Sequence, residues 1–410
     1  MPRVLRIINR LNIGGPTFNA ALLTKYMAPE FETLLVAGAK MDSEESSEFI
    51  CQQLGIDYIL IPEMTRGINF LKDRTAYRKI KKIIADFKPD IIHTHASKAG
   101  ALGRMAALSM NVPVIVHTFH GHIFHSYFNP IKSKLFLRIE RYLARRSSAI
   151  IALSAFQKDE LVNRFHLCKA KKVRVIPLGF DLSRFQEDQQ RKREIFRKNY
   201  SIADYEIVIS IVGRLVPVKN HAMFLRALGT VLKKTTKKVR AFIVGDGEML
   251  NSLRQTADQL GISHNYLPYV ENNKVNRSER APLSSSLIFT SWIKDVEYAV
   301  AGSDVIALTS YNEGTPVSLI EAQAAGKPVV TTNVGGIENV VLPNETALLC
   351  HPDDDEMFAR HLLALIENDQ FRLSMSRNGF EQMQAKFHYS RLVKDMKALY
   401  YELLDGNMHS

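Results

Sequence analysis

The sequence predicts an α/β protein with two parallel-sheet domains, and three observations carry that prediction. Short apolar runs without polar alternation recur along the chain, as strands buried on both faces of a sheet require, and amphipathic stretches separate them. Several of these runs end in a glycine-containing loop that leads straight into a helix, the pattern of a βα unit. The length, 410 residues, exceeds what one hydrophobic core fills, and a hydrophobic content of 46% is ample for two.

The first strand is expected over 3–10, followed by L-N-I-G-G-P-T and an apolar-periodic helix over 18–27. Gly14-Gly15 would let the backbone pass close to a ligand, and Pro16 suits a helix start. The dinucleotide fingerprint G-x-G-x-x-G is absent from this turn, which argues against a dehydrogenase. Further strands are expected at 32–37, 58–61, 90–93, 114–118 and 149–153. Ligands of such sheets sit beyond the carboxyl ends of the strands, so the residues after each strand carry most weight.

Two of these ends are rich in histidine, I-I-H-T-H-A-S-K-A-G with His93 and His95, and V-H-T-F-H-G-H-I-F-H with His117, His120, His122 and His125. A metal there would want carboxylate or thiolate companions, and none is evident nearby, so no metal is assigned. His120, followed by Gly121, is the best candidate for touching a substrate, since imidazole donates or accepts near neutral pH. The stretch Pro130–Arg146 reads as a basic amphipathic helix, which either lies on anionic lipid or packs on its own sheet with a solvated basic face.

The first domain is expected to span 1–182, the second 183–387, with a terminal helix over 388–410 that packs back on the first. The second domain offers strands at 207–212, 239–244, 287–290, 304–308, 328–331 and 347–349. The first of these ends in G-R-L-V-P-V-K-N, placing Arg214 and Lys219 in a loop after a strand, where a guanidinium fork and an ammonium point charge suit a diphosphate. The polar stretch 263–286 reads as an exposed excursion that the alternation does not need. After the strand at 304–308 comes Y-N-E-G-T-P-V-S-L-I-E-A-Q-A-A-G. Here Pro316 is placed in the first helical turn, and the free N–H groups of Thr315, Pro316's neighbour Val317 and Ser318 make an anion site. Glu313 lies in the loop and Glu321 within the helix, so the two should reach different parts of one ligand. A second Gly-Gly turn, Gly335-Gly336, is followed by Glu338.

The net charge of +12 favours an anionic partner: nucleotide, pyrophosphate, nucleic acid or the inner membrane surface. No nucleic-acid motif is visible, and the cations are scattered over two α/β units, so nucleic acid is not expected. Three widely spaced cysteines without C-x-x-C spacing argue against a disulfide framework or structural zinc. With no export signal or long apolar run visible, a cytoplasmic setting is expected, with peripheral contact to the inner membrane face through 130–146.

Taken together, G-G-P near the start, H-G after a first-domain strand, I-P-L-G-F-D, G-R-L-x-x-x-K-N and E-G-T-P-V-S-L-I-E resemble the retaining family-4 glycosyltransferases of GT-B architecture. The resemblance covers nearly the whole chain, and its most specific part is the E-x7-E signature from Glu313 to Glu321. It implies two Rossmann-like domains facing each other across a cleft, and transfer of a sugar from a nucleotide-sugar donor, UDP-linked by expectation. The acceptor would be a glycan or a polyprenyl-diphosphate-linked glycan of surface polysaccharide synthesis. By the same resemblance Glu321 would hold the ribose hydroxyls and Glu313 the donor sugar. Arg214 and Lys219 would bind the diphosphate, helped by the backbone at Thr315 to Ser318 and at Gly14-Gly15, while His120 would contact the transferred sugar and Glu338 would help position the donor. No metal and no cofactor is implied. Sugar-nucleotide epimerases share the architecture and form the alternative reading.

Overall fold

The structure, a computed structural model, describes residues 1–11, 15–39, 48–65, 67, 69–120, 130–270, 274–275 and 285–408. It divides into two compact units, one comprising Met1–Phe180 with Lys386–Ser410 and the other Asp181–Ala385.

The first unit opens with β1 (Arg3–Ile8), α1 (Gly15–Tyr26), β2 (Glu32–Gly38), α2 (Glu48–Leu54), β3 (Tyr58–Ile61) and α3 (Phe70–Phe87). It continues with β4 (Ile91–His95), α4 (Ser97–Ser109), β5 (Val114–Thr118), α5 (Pro130–Arg146), β6 (Ala149–Ala152), α6 (Ala155–Asp159) and β7 (Val173–Val175). Among the described residues these strands form one seven-stranded sheet in the order β3-β2-β1-β4-β5-β6-β7, parallel throughout. Helices cover both faces because the strand residues are buried on both: Ile7, Ile92 and Ile115 pack with Ile80, Ile84 and Leu102 on one side, and Val4, Ile91 and Val116 pack with Leu23 and Met27 on the other.

The second unit contains α7 (Gln189–Asn199), β8 (Ile207–Val212), α8 (His221–Lys234), β9 (Val239–Val244), α9 (Leu250–Gln259), β10 (His264–Tyr266), β11 (Tyr269–Val270) and β12 (Lys274–Val275). There follow β13 (Leu287–Phe289), α10 (Val296–Gly302), β14 (Val305–Leu308), α11 (Val317–Ala324), β15 (Val329–Thr332), β16 (Ala347–Cys350), α12 (Asp355–Glu367) and α13 (Asp369–Phe387). Its main sheet is also seven-stranded among the described residues, in the order β10-β13-β9-β8-β14-β15-β16, and all parallel. The last helix, α14 (Tyr389–Met408), belongs to the first unit. Its Leu392, Met396, Leu399 and Tyr400 complete the core that β1, β4, β5 and α1 leave open.

Several boundaries differ from expectation for physical reasons. β4 runs on to His95, so the second histidine of this end is a buried strand residue and not part of a loop. The first three residues that follow Ser263 form the sheet edge β10, and β11 pairs antiparallel with β12, so the stretch 263–286 is only partly an excursion. The polar sequence H-N-Y hides a strand because an edge needs little apolar burial. Pro316 sits one residue before α11 with an extended ψ of 91°, as the N-cap and not within the first turn.

Candidate active site

Parallel sheets of this kind have one place where neighbouring strands send their connections to opposite sides, and the crevice beyond it is where ligands bind. In the second unit that place lies between β8 and β14, with β9 on one side and β15 on the other. The loop after β8 carries Arg214 and Lys219, and the loop after β14 carries Glu313.

These two loops are bonded together. Tyr311 N–H donates to the Val218 carbonyl at 2.8 Å, and Thr309 Oγ1 donates to the Lys219 carbonyl at 3.0 Å. Across this joint Lys219 Nζ reaches Glu313 Oε1 at 2.5 Å, and Ser310 Oγ donates to the same oxygen at 2.6 Å. Glu313 is buried and Lys219 is partly so. Ser310 escaped the sequence reading, although its place at the end of the strand, three residues before Glu313, was the available signal. Arg214 is exposed and has no ionic partner among the described residues.

The Gly-Gly turn after β15 packs on the same loop. Gly336 N–H donates to the Glu313 carbonyl at 2.9 Å, and Gly335 has a φ of +54°. A Cβ on Gly335 would fall 2.1 Å from the Glu313 carbonyl oxygen, and one on Gly336 would fall 1.8 Å from that of Gly314. Only glycine fits this approach. Glu338, just beyond, is exposed and accepts from Asn333 Nδ2 at 2.7 Å. The helix α11 starts behind Pro316 with no side-chain cap and no acidic residue in its first turn, so the N–H groups at Val317 and Ser318 remain open to an anion beside Thr315.

Glu321, inside α11, has a different environment from Glu313. Burial pushes its carboxyl up to about 7, with Arg184 opposing and Glu297 adding to the shift. Arg184 is itself paired with Glu297 at 2.5 Å. No donor bonds the Glu321 carboxyl among the described residues.

In the first unit the corresponding crevice lies between β1 and β4. Gly14 lies outside the described residues, as do Gly121, His122 and His125, while Gly15 is the first residue of α1. The two histidine-rich strand ends resolve into separate networks. His117 faces α4, with Thr94 Oγ1 2.8 Å from its Nδ1 and Gly100 packed against its ring. On the other face His93 lies between Tyr400 Oη at 2.7 Å and Thr118 Oγ1 at 2.7 Å. Beside it His95 Nδ1 is 2.9 Å from His120 Nε2. Burial lowers His120 to about 3, and it holds His95, His93 and His117 well below the usual imidazole range. No group of three or more His, Cys, Asp or Glu among the described residues is arranged to hold a metal ion.

The outer side of α5 is unusual for a surface helix. Leu135, Ile139 and Tyr142 are exposed, and Arg138, Arg141, Tyr142, Arg145 and Arg146 line a shallow cavity of about 600 Å³. The helix is anchored from inside by Arg104 and Glu140, both buried and 2.7 Å apart. No helix among the described residues is long and apolar enough to cross a membrane.

Comparison with known proteins gives matches over both units. Residues 14–184 match the model described as Glycosyltransferase Family 4, and residues 206–368 match that described as Glycosyl transferases group 1. A relative from Escherichia coli, UDP-Gal:alpha-D-GlcNAc-diphosphoundecaprenol alpha-1,3-galactosyltransferase, is 29% identical over 87% of this chain and 88% of its own length. The capsular polysaccharide biosynthesis glycosyltransferase CapM of Staphylococcus aureus is 24% identical over 83% and 84%. Among solved structures, Anabaena HepE in complex with UDP superposes with a TM-score of 0.78 at 20% identity, over 98% of this chain and 100% of that one.

Proposed function

Because the chain belongs to the family-4 glycosyltransferases of GT-B architecture, we propose that it moves a hexosyl or N-acetylhexosaminyl group from a UDP-sugar to a glycan carried on polyprenyl diphosphate, with retention of anomeric configuration and without a metal. The nearest support for the acceptor is the Escherichia coli relative, which acts on a diphosphoundecaprenol-linked GlcNAc, and the CapM relative belongs to capsule synthesis. Both sequence relatives named here are glycosyltransferases, and nothing favours the epimerase alternative.

The observation that carries the reading is the joint at the β8–β14 crevice, where Lys219 meets Glu313 beside the uncapped start of α11. Breaking a sugar–phosphate bond develops positive charge on the sugar and negative charge on the departing diphosphate. Lys219, Arg214 and the open N–H groups at the start of α11 supply fixed positive charge for the leaving group, and preorganised charge of this kind is usually the largest catalytic contribution. A carboxylate bonded by both Lys219 and Ser310 is suited to hold a sugar hydroxyl and poorly placed to be a nucleophile. The reading therefore gives the acceptor hydroxyl a same-face attack, with its proton passing to the leaving phosphate. Glu321, with an open carboxyl, takes the ribose hydroxyls, and Glu338 and Gly14-Gly15 complete the donor contacts.

The protein works at the inner membrane face in this reading, with α5 as its contact. Arginines supply attraction to anionic headgroups, and Leu135, Ile139 and Tyr142 supply apolar surface.

The test is to incubate the purified protein with a panel of UDP-sugars and a GlcNAc-diphosphate-polyprenol acceptor. Release of UDP with an axial or equatorial linkage matching that of the donor is expected, and undiminished turnover after EDTA treatment is expected with it. No UDP release across the panel would remove the transferase assignment, and loss of activity restored by a divalent ion would remove the metal-free one. Flotation with anionic vesicles should fall when Arg138 and Arg145 are replaced by Glu, and unchanged flotation would exclude α5 as the contact.

A further inference from the structure

We propose that His95 is a positioning residue for His120, gripping its Nε2 and fixing the tautomer in which His120 presents a proton-bearing Nδ1 to an oxygen of the sugar nucleotide. The inference rests on the transferase reading above, but the pairing on which it stands can be observed without turnover.

The geometry comes from strand register. His95 ends β4 opposite Thr118 of the adjacent parallel strand β5, and His120 follows two residues later. The His95 Nδ1 to His120 Nε2 separation is 2.9 Å, with the ring centroids 5.2 Å apart. His95 is completely buried, and the His93 ring packs on it with centroids 4.2 Å apart. His93 is in turn held by Tyr400 and Thr118. The backbone immediately after His95 is held as well: Ala96 has φ 64° and ψ 164°, a region that a residue with a Cβ enters only when its surroundings demand it. His95 is thus clamped by its neighbours, and His120 is the member of the pair that has surface exposure.

The proton bookkeeping has two solutions, because a neutral imidazole carries one N–H and a bond between two ring nitrogens needs one donor and one acceptor. If His120 donated from Nε2, His95 would have to carry its own proton on Nε2. That atom is buried and has no hydrogen-bond partner among the described residues. Each solution leaves one ring N–H and one bare ring nitrogen without a partner among the described residues, and the N–H is better placed on His120, which has surface exposure, than on fully buried His95. The favoured solution is the other one, in which His95 Nδ1–H donates, His95 Nε2 is bare and His120 carries its proton on Nδ1. That nitrogen also lacks a partner among the described residues, and a buried polar atom left open in this way calls for an explanation. A ligand oxygen supplies one.

The chemical consequence is that His120 donates a hydrogen bond and does not take a proton. Neutrality is preserved at working pH because burial lowers both rings far below the usual range. The acceptor hydroxyl proton then has no imidazole to go to, which agrees with its passage to the leaving diphosphate.

The test combines spectroscopy and kinetics on the full chain. Histidine-selective 15N labelling, with His120 assigned by its loss in His120→Gln, should show the Nδ1–H tautomer for His120 in the wild-type protein. His95→Leu should shift His120 toward Nε2–H and lower kcat about 10-fold to 100-fold, as loss of an orienting partner does elsewhere, while UDP affinity stays within about twofold. His95→Asn, whose amide can donate from nearly the same position, should recover a large part of kcat. An Nε2–H tautomer in the wild-type spectrum overturns the inference even if no variant folds, and so does an unchanged tautomer and kcat in a folded His95→Leu. Absence of sugar transfer by the wild-type protein would defeat the transferase reading instead, leaving the tautomer measurement to judge the pairing.

Discussion

Glu321 and Lys219 show how differently two charges in one unit are used. The Glu321 carboxyl is raised to about 7 by burial, against Arg184 and with Glu297, so it is part-protonated near neutrality. The proposed role, accepting two ribose hydroxyls, requires the carboxylate, so UDP affinity should rise as pH increases from 6 to 8, by about tenfold if the ionised fraction controls it. Titration calorimetry at both pH values would show this, and Glu321→Gln should give weaker binding without the pH dependence. The stability sign is the opposite. A carboxyl whose folded pKa lies above its unfolded value binds protons more tightly when folded, so stability declines as pH rises from about 4.5 to about 7. Glu321→Gln should therefore melt higher than wild type at pH 8, with an advantage that shrinks toward pH 4.5. The proposed reaction gives Lys219 a part in the chemistry. Lys219→Ala should lower kcat by about 10²-fold to 10³-fold with a much smaller effect on UDP affinity, as expected for charge aimed at a leaving group. Single-turnover kinetics beside UDP titration separate the two, and unchanged kcat would end its assignment.

Loops and helices make the next set of constraints. Gly336→Ala would place a Cβ against the Gly314 carbonyl oxygen, and the loop that carries Glu313 would have to move. Since Lys219 and Ser310 both bond Glu313, that movement should cost activity more than stability. A drop in kcat of about tenfold or more with a melting temperature within a few degrees is expected. Wild-type kcat would show that the contact is slack. The helix α5 poses the converse case, with Leu135, Ile139 and Tyr142 exposed on its outward side and the buried Arg104–Glu140 pair on its inward side. Arg104 is fully buried, donates from Nε to the Gly100 carbonyl at 2.8 Å and has Glu140 as its ionic partner. Glu140→Ala leaves a buried guanidinium uncompensated and should cost about 3–5 kcal/mol, whereas replacing both residues by apolar ones of similar volume should restore much of it. Denaturant melts of the single and double variants measure this, and a single-variant loss below about 1 kcal/mol would mean that water reaches Arg104.

At the scale of the molecule, what could be read from the chain and what could not follow from one distinction. Strands such as Val114–Thr118, Ile207–Val212 and Val239–Val244 announce themselves because a parallel strand buried on both faces is a continuous apolar run bounded by turn residues. His264–Tyr266 does not, since an edge strand asks for little burial. The residue types of the site were legible in the same way, as charges and glycines after strands. Their partnerships were not: Lys219 and Glu313 are 94 positions apart, and His95 and His120 are 25 apart, and both pairs depend on which strands lie side by side. A far longer dependence joins Arg6 to Tyr400, 394 positions away. Arg6 is fully buried without a carboxylate partner among the described residues, and Tyr400 Oη accepts from its Nη1 at 3.0 Å while bonding His93. The chain thus leaves the first unit at Phe180, builds the second, and returns to finish the first core with α14. Tyr400→Phe removes the acceptor from a buried cation and should cost about 1–3 kcal/mol, confined to the first unit. Hydrogen exchange should accordingly speed up in β1, β4 and β5 and stay unchanged in β8 and β14, because local opening energies report the unit to which an amide belongs. Equal acceleration in both sheets would mean that the two units unfold as one cooperative body, and α14 would then stabilise the entire chain.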